Sequence, residues 1–183
     1  AASGGLLLGA SATSATTRVA PTTQVQMGSG HDLRIAQGFT ADGLVAAAGR
    51  SDVTGFNGGI AAAGANHAAT TLASHTSSLL GAGSISADTI AVRSGGSGNL
   101  ASASTAGAGG LGAVQAAKVA NTATATTRTQ IGGTLAARVV DIDAAHTTSL
   151  QGSADSTTAA VAGYSGAQVR NSIVNDTQAL LAP

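Results

Sequence analysis

The sequence has no cysteine, no tryptophan and no glutamate, and Lys118 is its single lysine. Charged residues make up 9% of the 183 positions, whereas an average globular protein has roughly 25%. Without cysteine no disulfide framework can form, and this composition suits an exported protein that avoids unwanted disulfides. The formal net charge is zero. Because nucleic-acid binding calls for a basic stripe, we expect no nucleic-acid partner.

Aromatic residues are also scarce, which excludes a core of bulky rings; they are Phe39, Phe56 and Tyr164. Hydrophobic residues nevertheless reach 43%, and a neutral chain of that composition should collapse instead of staying disordered. The core must then be narrow and built from Ala, Val, Ile, Leu and Gly. Silk-like disorder is the alternative.

Thr, Ser, Gly and Asn fill almost every polar position, which favours strands and turns over helices. An exposed helix usually carries Glu, Lys, Gln and Arg instead. The clearest apolar spacing has period two, which places both side chains on one face of a strand. It occurs in Leu33-x-Ile35, Ile90-x-Val92 and Val140-x-Ile142. We therefore expect short strands between Gly and Asn turns, with an Ala-rich helical bundle as the rival fold.

The sequence repeats itself. Gly4-Gly5-Leu6, Gly58-Gly59-Ile60 and Gly109-Gly110-Leu111 follow one another at near-equal intervals. A fourth start follows at Gly163, and there Asn175 answers Asn121. Units that recur in this way cannot enclose a core alone and are stabilised by stacking on their neighbours. We predict a single domain over residues 1–183, with units at 4–57, 58–108 and 109–162 and a partial unit at 163–183.

Two further markers recur inside the units. The segment 80–92 matches 131–142 with one residue deleted, and 27–35 is a shortened form of both. The repeat therefore drifts in length but keeps its apolar positions, and turns absorb such drift when the strands are fixed in register. The other marker is a triplet that appears as Thr16-Thr17-Arg18, Thr70-Thr71-Leu72 and Thr126-Thr127-Arg128.

Strands that recur along a stack of near-identical coils form a β-solenoid, in which each coil hydrogen-bonds to the next in parallel register. We predict an all-β fold of this kind, a parallel β-solenoid built from ~52-residue sequence repeats. With coils of about 17–20 residues, the chain would hold about nine or ten coils. At ~4.8 Å per coil the body would be a thin rod roughly 45 Å long.

One family shares these features. They are the Gly-Gly-Leu and Gly-Gly-Ile starts, the dominance of Ala, Thr, Gly and Ser, and strand pairs such as Ser84-Ile85-Ser86-Ala87-Asp88-Thr89-Ile90-Ala91-Val92. In these features the chain resembles the repeat region of large bacterial filamentous adhesins of the haemagglutinin or leukotoxin type. The resemblance covers nearly the whole chain. It implies a right-handed parallel β-helix, export to the cell surface and a stalk or fibre that projects a binding region.

Several local patterns have the spacing of binding sites, but we expect them to be structural. Gly107-x-Gly109-x-x-Gly112 matches a dinucleotide fingerprint, yet no strand–helix unit or downstream acid surrounds it. Segment 28–33 resembles half of a calcium-binding nonapeptide repeat, and since the motif occurs once we interpret it as a turn with an Asp cap. The histidines lack metal spacing. We predict no cofactor and no metal site, and the histidines in question are His31, His67, His75 and His146.

The sharpest candidate for catalysis is Asp141-x-Asp143. Period two places both carboxylates on one outer strand face, with His146 three residues further on, and carbohydrate-cleaving β-helices carry paired acids on such a face. No aromatic platform for sugar stacking accompanies the pair, and the equivalent positions of the preceding unit are Ala91 and Arg93. We therefore predict no catalytic residue and interpret the pair as a solvated edge, with a carbohydrate-active β-helix enzyme as an alternative.

A second alternative function is ice binding. The alternation in Thr122-Ala123-Thr124-Ala125-Thr126 could line one flat strand face with hydroxyl and methyl groups. Such an array must continue through successive coils on the same face. The doublets at Thr16-Thr17, Thr22-Thr23 and Thr70-Thr71 instead point their two members to opposite faces.

The sequence as a whole predicts a structural or adhesive segment of an exported bacterial surface fibre, without enzymatic activity. Unpaired strand edges at the ends of a solenoid favour association end to end, so we expect self-association, end to end or laterally, as the main partner interaction, with a host or surface polymer as a second candidate partner. No run of ~18 apolar residues exists, and we expect no helix that spans a membrane.

Overall fold

A computed structural model describes the backbone of residues 2–4 and 7–182 and the side chains of 7–182. Within these residues the regular structure consists of strands alone, all paired in parallel. This confirms the prediction of an all-β parallel fold and makes the rival helical bundle wrong. The strands are β1 (Ala2–Gly4), β2 (Leu8–Val19), β3 (Thr22–Met27), β4 (His31–Arg34), β5 (Gly38–Gly58), β6 (Ala61–Leu80), β7 (Gly83–Ser86), β8 (Thr89–Gly132), β9 (Thr134–Ala136) and β10 (Val139–Ala182).

Each strand pairs with the chain one repeat further on. Strand β5 pairs with the first half of β8 from Gly38 opposite Thr89 to Gly58 opposite Gly109. Strand β6 pairs with the second half of β8, and β10 follows β8 along its whole length. Strands β4, β7 and β9 form a separate three-stranded sheet in the same order. At Gly4, Gly58 and Gly109 the spacing of the Gly-Gly starts is therefore the spacing of the hydrogen-bonded ladder.

The larger sheet bends into two arms. Arm 1 consists of β5 with residues 89–109 and 139–159; arm 2 consists of β2, β3 and β6 with residues 112–132 and 162–182. The bend between them passes through Gly59 and Gly110. A Cβ atom on Gly110 would collide with the carbonyl of Gly59, so the backbone contact between these two levels needs glycine at 110. The next level has Ala160 at this point.

The inner faces of the two arms meet in a thin core. Alternate residues along β6 and β8 are buried, as period two requires. Leu72 on arm 2 packs against Leu100 on arm 1, and a larger cluster around Ile90 and Val92 fills the end away from the bend. Most other inner positions hold Ala, Ser, Gly or Thr, so the two arms approach closely. The core is narrow, as expected, but it is not built from Ala, Val, Ile, Leu and Gly alone, because Ser, Thr, Asn and Gln side chains are also buried in it.

A polar column crosses this core and joins the two arms; it is buried in the middle levels and exposed at Asn171 on the last level. Ser51 Oγ donates to Thr17 Oγ1 at 2.8 Å, and the hydroxyls of Thr70 and Ser102 lie 2.6 Å apart. Ser102 Oγ donates to Asn121 Oδ1 at 2.6 Å, and Asn121 Nδ2 donates to Asn171 Oδ1 at 3.0 Å. Each level thus satisfies the polar groups of the next, which is the condition for burying them at little cost. The inner polar column comprises Thr17, Thr70, Asn121 and Asn171 on arm 2 and Ser51 and Ser102 on arm 1.

The length of the repeat in space differs from the prediction. Paired residues lie one whole sequence unit apart, as Gly38 and Thr89 do, so the predicted coils of about 17–20 residues are wrong. One outward arm and one return arm account for most of a unit. At ~4.8 Å per level the stack is roughly 15–20 Å high, and at ~3.3 Å per residue each arm is roughly 65 Å long. The body is a flat slab and not a thin rod.

Register also corrects some sequence equivalences. The match of segment 80–92 to 131–142 is confirmed, since Leu80 pairs with Ile131 and Val92 with Ile142. Gly109, however, pairs with Ala159 and not with Gly163. Between β8 and β10 the pairing places Asn121 beside Asn171 and apolar positions beside apolar positions. The sequence separation of these paired residues is shorter than the separation between Gly109 and Gly163.

The polar markers shift in the same way. Asn121 pairs with Asn171, so its equivalence with Asn175 is wrong. Thr17 pairs with Thr70, one residue out of step with the predicted triplets, and Thr127 pairs with Thr76. Gly4 pairs with Gly58 as expected, whereas Gly5 and Leu6 of the first start lie outside the described residues.

Paired cysteines test this register directly, because the chain has none of its own. Ala46 and Ser97 are exposed neighbours on adjacent strands. Adjacent strands lie ~4.8 Å apart, and disulfides need Cα atoms roughly 4.4–6.8 Å apart. We expect Ala46→Cys/Ser97→Cys to oxidise to an intramolecular disulfide, detected by a mobility shift on non-reducing gels. The control pair Ala46→Cys/Ala101→Cys is four residues out of register and should stay reduced; equal oxidation of both pairs would refute the ladder.

Truncation of Leu100 tests the core. Leu100 is fully buried between the arms, whereas Leu111 at the bend is 60% exposed. We expect Leu100→Ala to lower the free energy of unfolding by about 2–5 kcal/mol and Leu111→Ala to change it by less than ~0.5 kcal/mol, both measured by denaturant titration. Equal effects of the two substitutions would contradict a core between the arms.

Candidate functional site

The Asp141–Asp143 pair lies on the outer face of arm 1, as period two predicts. Arg93 on the neighbouring strand donates from Nε to Asp141 Oδ2 at 2.9 Å and also contacts it through Nη2. The hydrogen bond and the charge of Asp141 raise the pKa of Arg93, and Asp42 and Asp143 raise it further. The pair is therefore part of a cross-strand ion network. Asp141 already holds a cation, which leaves Asp143 as the only acid of the pair without a salt bridge among the described residues.

His146 does not join the two carboxylates. It is in register with Gly96 and points into the core, on the opposite face of the strand from Asp143. Its ring fills the space that Gly96 leaves open, and its Nδ1 lies 3.5 Å from Thr127 Oγ1. Burial lowers the pKa of His146. The three residues of the catalytic alternative are thus split between two faces, and the candidate hydrolase arrangement is not assembled.

The glycine patterns are structural. Gly107 and Gly109 lie in β8, and the chain continues as a strand beyond Gly112, so no helix N-terminus is present to bind a phosphate. At segment 28–33 the chain turns at Gly30, whose φ is 81°, and His31 Nδ1 lies 2.8 Å from the carbonyl oxygen of Gly28. The interpretation of this segment as a turn is confirmed. Asp32, the predicted cap of this turn, instead accepts a hydrogen bond from Ser84 Oγ on the next strand at 2.6 Å.

The threonine array is confirmed on one strand only. Thr122, Thr124 and Thr126 lie on the outer face of arm 2 between buried neighbours. Their partners on β6 are Thr71, Ala73 and His75, and on β10 they are Ser172, Val174 and Asp176. One hydroxyl rank continues through Thr71, Thr122 and Ser172, but the ranks of Thr124 and Thr126 stop at this strand, so the regular array that ordering water on ice would require is not formed.

Charge is segregated between the two outer faces, a feature that sequence reasoning missed. Along both arms the charged side chains take outward positions, and inner positions hold His146 as their single titratable group among the described residues. The outer face of arm 2, hereafter the basic face, has four cations and one acid, a net charge of +3. The outer face of arm 1, hereafter the acidic face, has five acids and two cations, a net charge of −3. The basic face carries Arg18, Lys118, Arg128, Arg170 and Asp176; the acidic face carries Asp42, Arg50, Asp52, Arg93, Asp141, Asp143 and Asp155.

The remaining charges are balanced near the three-stranded sheet. Arg138 donates from Nε to Asp88 Oδ1 at 2.9 Å, and this hydrogen bond lowers the pKa of Asp88. On β4, Arg34 Nη2 lies 3.9 Å from Asp32 Oδ2. The zero net charge of the chain is therefore the sum of one neutral edge and two faces of opposite sign. The outward positions of these charges follow from period two in the sequence. Their division between two faces could be recognised only once the position of the bend was known.

An apolar groove of about 620 Å³ lies on the basic face beside the bend. Leu8, Ala10, Ala63, Val114 and Tyr164 line it. On the acidic face at the same end, Phe56 is 53% exposed and lies over Gly107. Both outer faces therefore present apolar surface next to the bend.

The last level of the stack leaves inner side chains uncovered. Strand β10 pairs with β8 on one side and, among the described residues, with nothing on its other side. On its second half, Val169 and Ile173 continue the inner columns of Val119 and Ala123 but are 42% and 48% exposed. This free edge of β10, residues 139–182, combines unpaired backbone groups with apolar side chains.

Comparison with known proteins adds no assignment: no family model, no curated protein and no solved structure matches this chain. The part of the chain that the structure describes contains no helix with the length and apolar character needed to cross a bilayer. No cluster of three or more metal-ligating side chains occurs in the same described residues.

Burial of His146 predicts a pH-dependent stability. Because burial lowers its pKa in the folded state, the unfolded chain takes up the proton first as the pH falls. We expect the full contribution of the neutral ring above about pH 6.5 and a loss of stability below it. Urea titrations between pH 8 and pH 5 should show this loss, and His146→Asn should reduce it. The control His67→Asn, on the outer face of arm 2, should keep the wild-type profile; an unchanged profile in His146→Asn would contradict the assignment.

Proposed function

We propose that the chain is a β-solenoid segment with a structural role, serving as a stalk or filament-forming part of a bacterial surface or extracellular fibre. The observation that carries this proposal is the parallel ladder in which each repeat stacks on the next, one whole sequence unit apart. One outward arm, one bend, one return arm and a short third side make one coil. Such a stack extends by adding coils without changing its cross-section.

The interior supports a mechanical role over a catalytic one. The inner polar column and the aliphatic clusters run continuously along the stack axis, so each level is bonded to the next by backbone and side chains. The outer face offers no assembled acid pair with its histidine. A structural fibre needs only the continuity of the stack, and this continuity is what the sequence repeats.

The free edge of β10 supports end-to-end growth. A flat strand edge with unpaired N–H and C=O groups is a template for pairing with another chain. The half-exposed Val169 and Ile173 lie where the core of a further coil would continue. We propose that a further coil, from a second copy of the chain, covers this edge, and that the assembly acts outside the cell.

Two neighbouring substitutions test the proposal. Ile173 points into the inner column of the last level and Val174 points outward, with exposures of 48% and 58%. Since a carboxylate in the inner column would be buried by the next coil, we expect Ile173→Asp to weaken end-to-end association by at least about tenfold. Val174→Asp should leave it close to wild type. Sedimentation velocity over a concentration series measures both, and electron micrographs of the wild type should show filaments.

Equal association of the two variants, or a wild-type chain that stays monomeric throughout the concentration series, would contradict the proposed filament role. Circular dichroism of both variants must retain the β signal of the wild type, and both substitutions lie on the exposed last level where unfolding of the remaining stack is not expected. A chain that assembles on cells should further be found in fibres by immunogold labelling.

A further inference from the structure

We infer that the acidic face of one copy binds the basic face of a second copy, side by side. This inference deepens the proposed filament role by naming a lateral interface, and it rests on different residues from the end-to-end contact. It starts from the opposite net charges, −3 and +3, of two broad faces in a chain whose total charge is zero. Complementary potentials of this kind steer association and fix orientation.

The free charges, and not only the totals, are complementary. On the acidic face, Arg50 binds Asp52 and Arg93 binds Asp141. Among the described residues this leaves Asp42, Asp143 and Asp155 without a salt bridge. On the basic face no cation forms a salt bridge with a described residue; these cations are Arg18, Lys118, Arg128 and Arg170. Acids without a salt bridge on one face thus match bases without a salt bridge on the other, although Asp42 and Asp143 also neighbour Arg93 on the adjacent strand.

The positions of these charges along the arms also match. Outward positions can be counted from the bend, starting at Gly58, Gly109 and Ala159 on arm 1 and at Ala61, Gly112 and Ala162 on arm 2. Asp143 and Arg128 then both occupy the ninth position. Asp155 is third, next to Lys118 at the fourth. A second copy in the same orientation, displaced perpendicular to the sheets, brings Asp143 opposite Arg128 and Asp155 beside Lys118.

The match extends to the level within the stack. Residues 139–159 of arm 1 come between residues 112–132 and 162–182 of arm 2 along the chain. Asp143 and Asp155 therefore lie at the height of the strands that carry Lys118, Arg128 and Arg170. Simple translation preserves this height, so no rotation is needed to bring the charges together.

The same displacement also brings the exposed apolar surfaces of the two copies together. Phe56 occupies the second outward position of arm 1, and Ala10, Ala63, Val114 and Tyr164 occupy the second position of arm 2. The exposed ring of Phe56 would enter the groove of about 620 Å³ that these residues line. An aromatic anchor in a groove, flanked by complementary charges, is the usual composition of an energetic centre in an interface.

The area is sufficient for a specific contact. An arm roughly 65 Å long and three levels of ~4.8 Å gives about 900–1,000 Å² per face, against ~800 Å² per partner in a standard interface. A contact between unlike faces of identical copies is heterologous, and translation never closes it. Each added copy presents a new free face, so the slabs would stack into a ribbon.

Charge reversal with complementation tests the interface. In the acidic-face variant, Asp143→Lys/Asp155→Lys, both faces become positive; in the basic-face variant, Lys118→Glu/Arg128→Glu, both become negative. We expect each variant alone to lose lateral association by at least about tenfold, because like charges then oppose each other. An equal mixture of the two variants should recover it. The control Asp32→Lys/Asp88→Lys makes the same charge change at the neutral edge and should associate like the wild type.

All variants are made with and without Ile173→Asp, so that a failure of lateral pairing and a failure of end-to-end growth are read separately. Sedimentation velocity at about 0.01 M and about 1 M salt measures the association, since the Debye length falls from ~30 Å to ~3 Å between these conditions. The wild type should associate at low salt and dissociate at high salt. Phe56→Ala should weaken association, whereas Leu111→Ala at the bend should not.

Three results would overturn the inference. The first is the absence of salt-dependent association in the Ile173→Asp variant, whose two charged faces are those of the wild type. The second is a mixture of the two folded variants that fails to associate. The third is loss of association by the basic-face variant while the acidic-face variant associates like the wild type, which would show that the acidic face takes no part in the contact.

Discussion

The structure depends on one constraint, the in-register parallel pairing of each repeat with the next. Stacking one unit apart brings similar side chains above one another, so that an inner position on one level is an inner position on every level. Thr17, Thr70, Asn121 and Asn171 share one column for this reason. Asn121 donates to Asn171 within the column, and Ser51 and Ser102 on arm 1 bond the other members. A chain with few bulky residues is stabilised in this way by a thin core that includes a hydrogen-bonded polar column.

The same constraint sorts the charges. Because inner positions cannot accept an unpaired charge without a high desolvation cost, the charged side chains of both arms lie outside. The bend at Gly59 and Gly110 then divides them between two faces. A neutral, weakly charged sequence thereby becomes a slab with an acidic side and a basic side. Its last level is a strand edge with exposed apolar side chains, so the directions along the axis and across the slab are chemically distinct.

Sequence reasoning predicted the class of fold and the stacking of repeats but not the length of a coil. The Gly-Gly starts and the segment 80–92 mark positions where backbone contacts or core packing allow few alternatives, and they align correctly with their partners. Thr and Asn markers occur on both faces, and their alignment by composition slipped, as for Asn121. The coil length was missed because period-two alternation looks the same in a short strand and in a long arm.

At the candidate site, too, the sequence predicted what depends on one strand but not what depends on its neighbours. Alternation alone placed Asp141 and Asp143 on one outer face, but the inward direction of His146 and the bond from Arg93 required the register of the neighbouring strand.

Face-to-face packing of the arms is the central claim, and methyl nuclear Overhauser effects test it most directly. The account predicts strong contacts of Leu100 on arm 1 with both Leu72 and Ala123 on arm 2. Contacts of Leu100 confined to its ladder partners Gly49 and Leu150, with none across the arms, would contradict it.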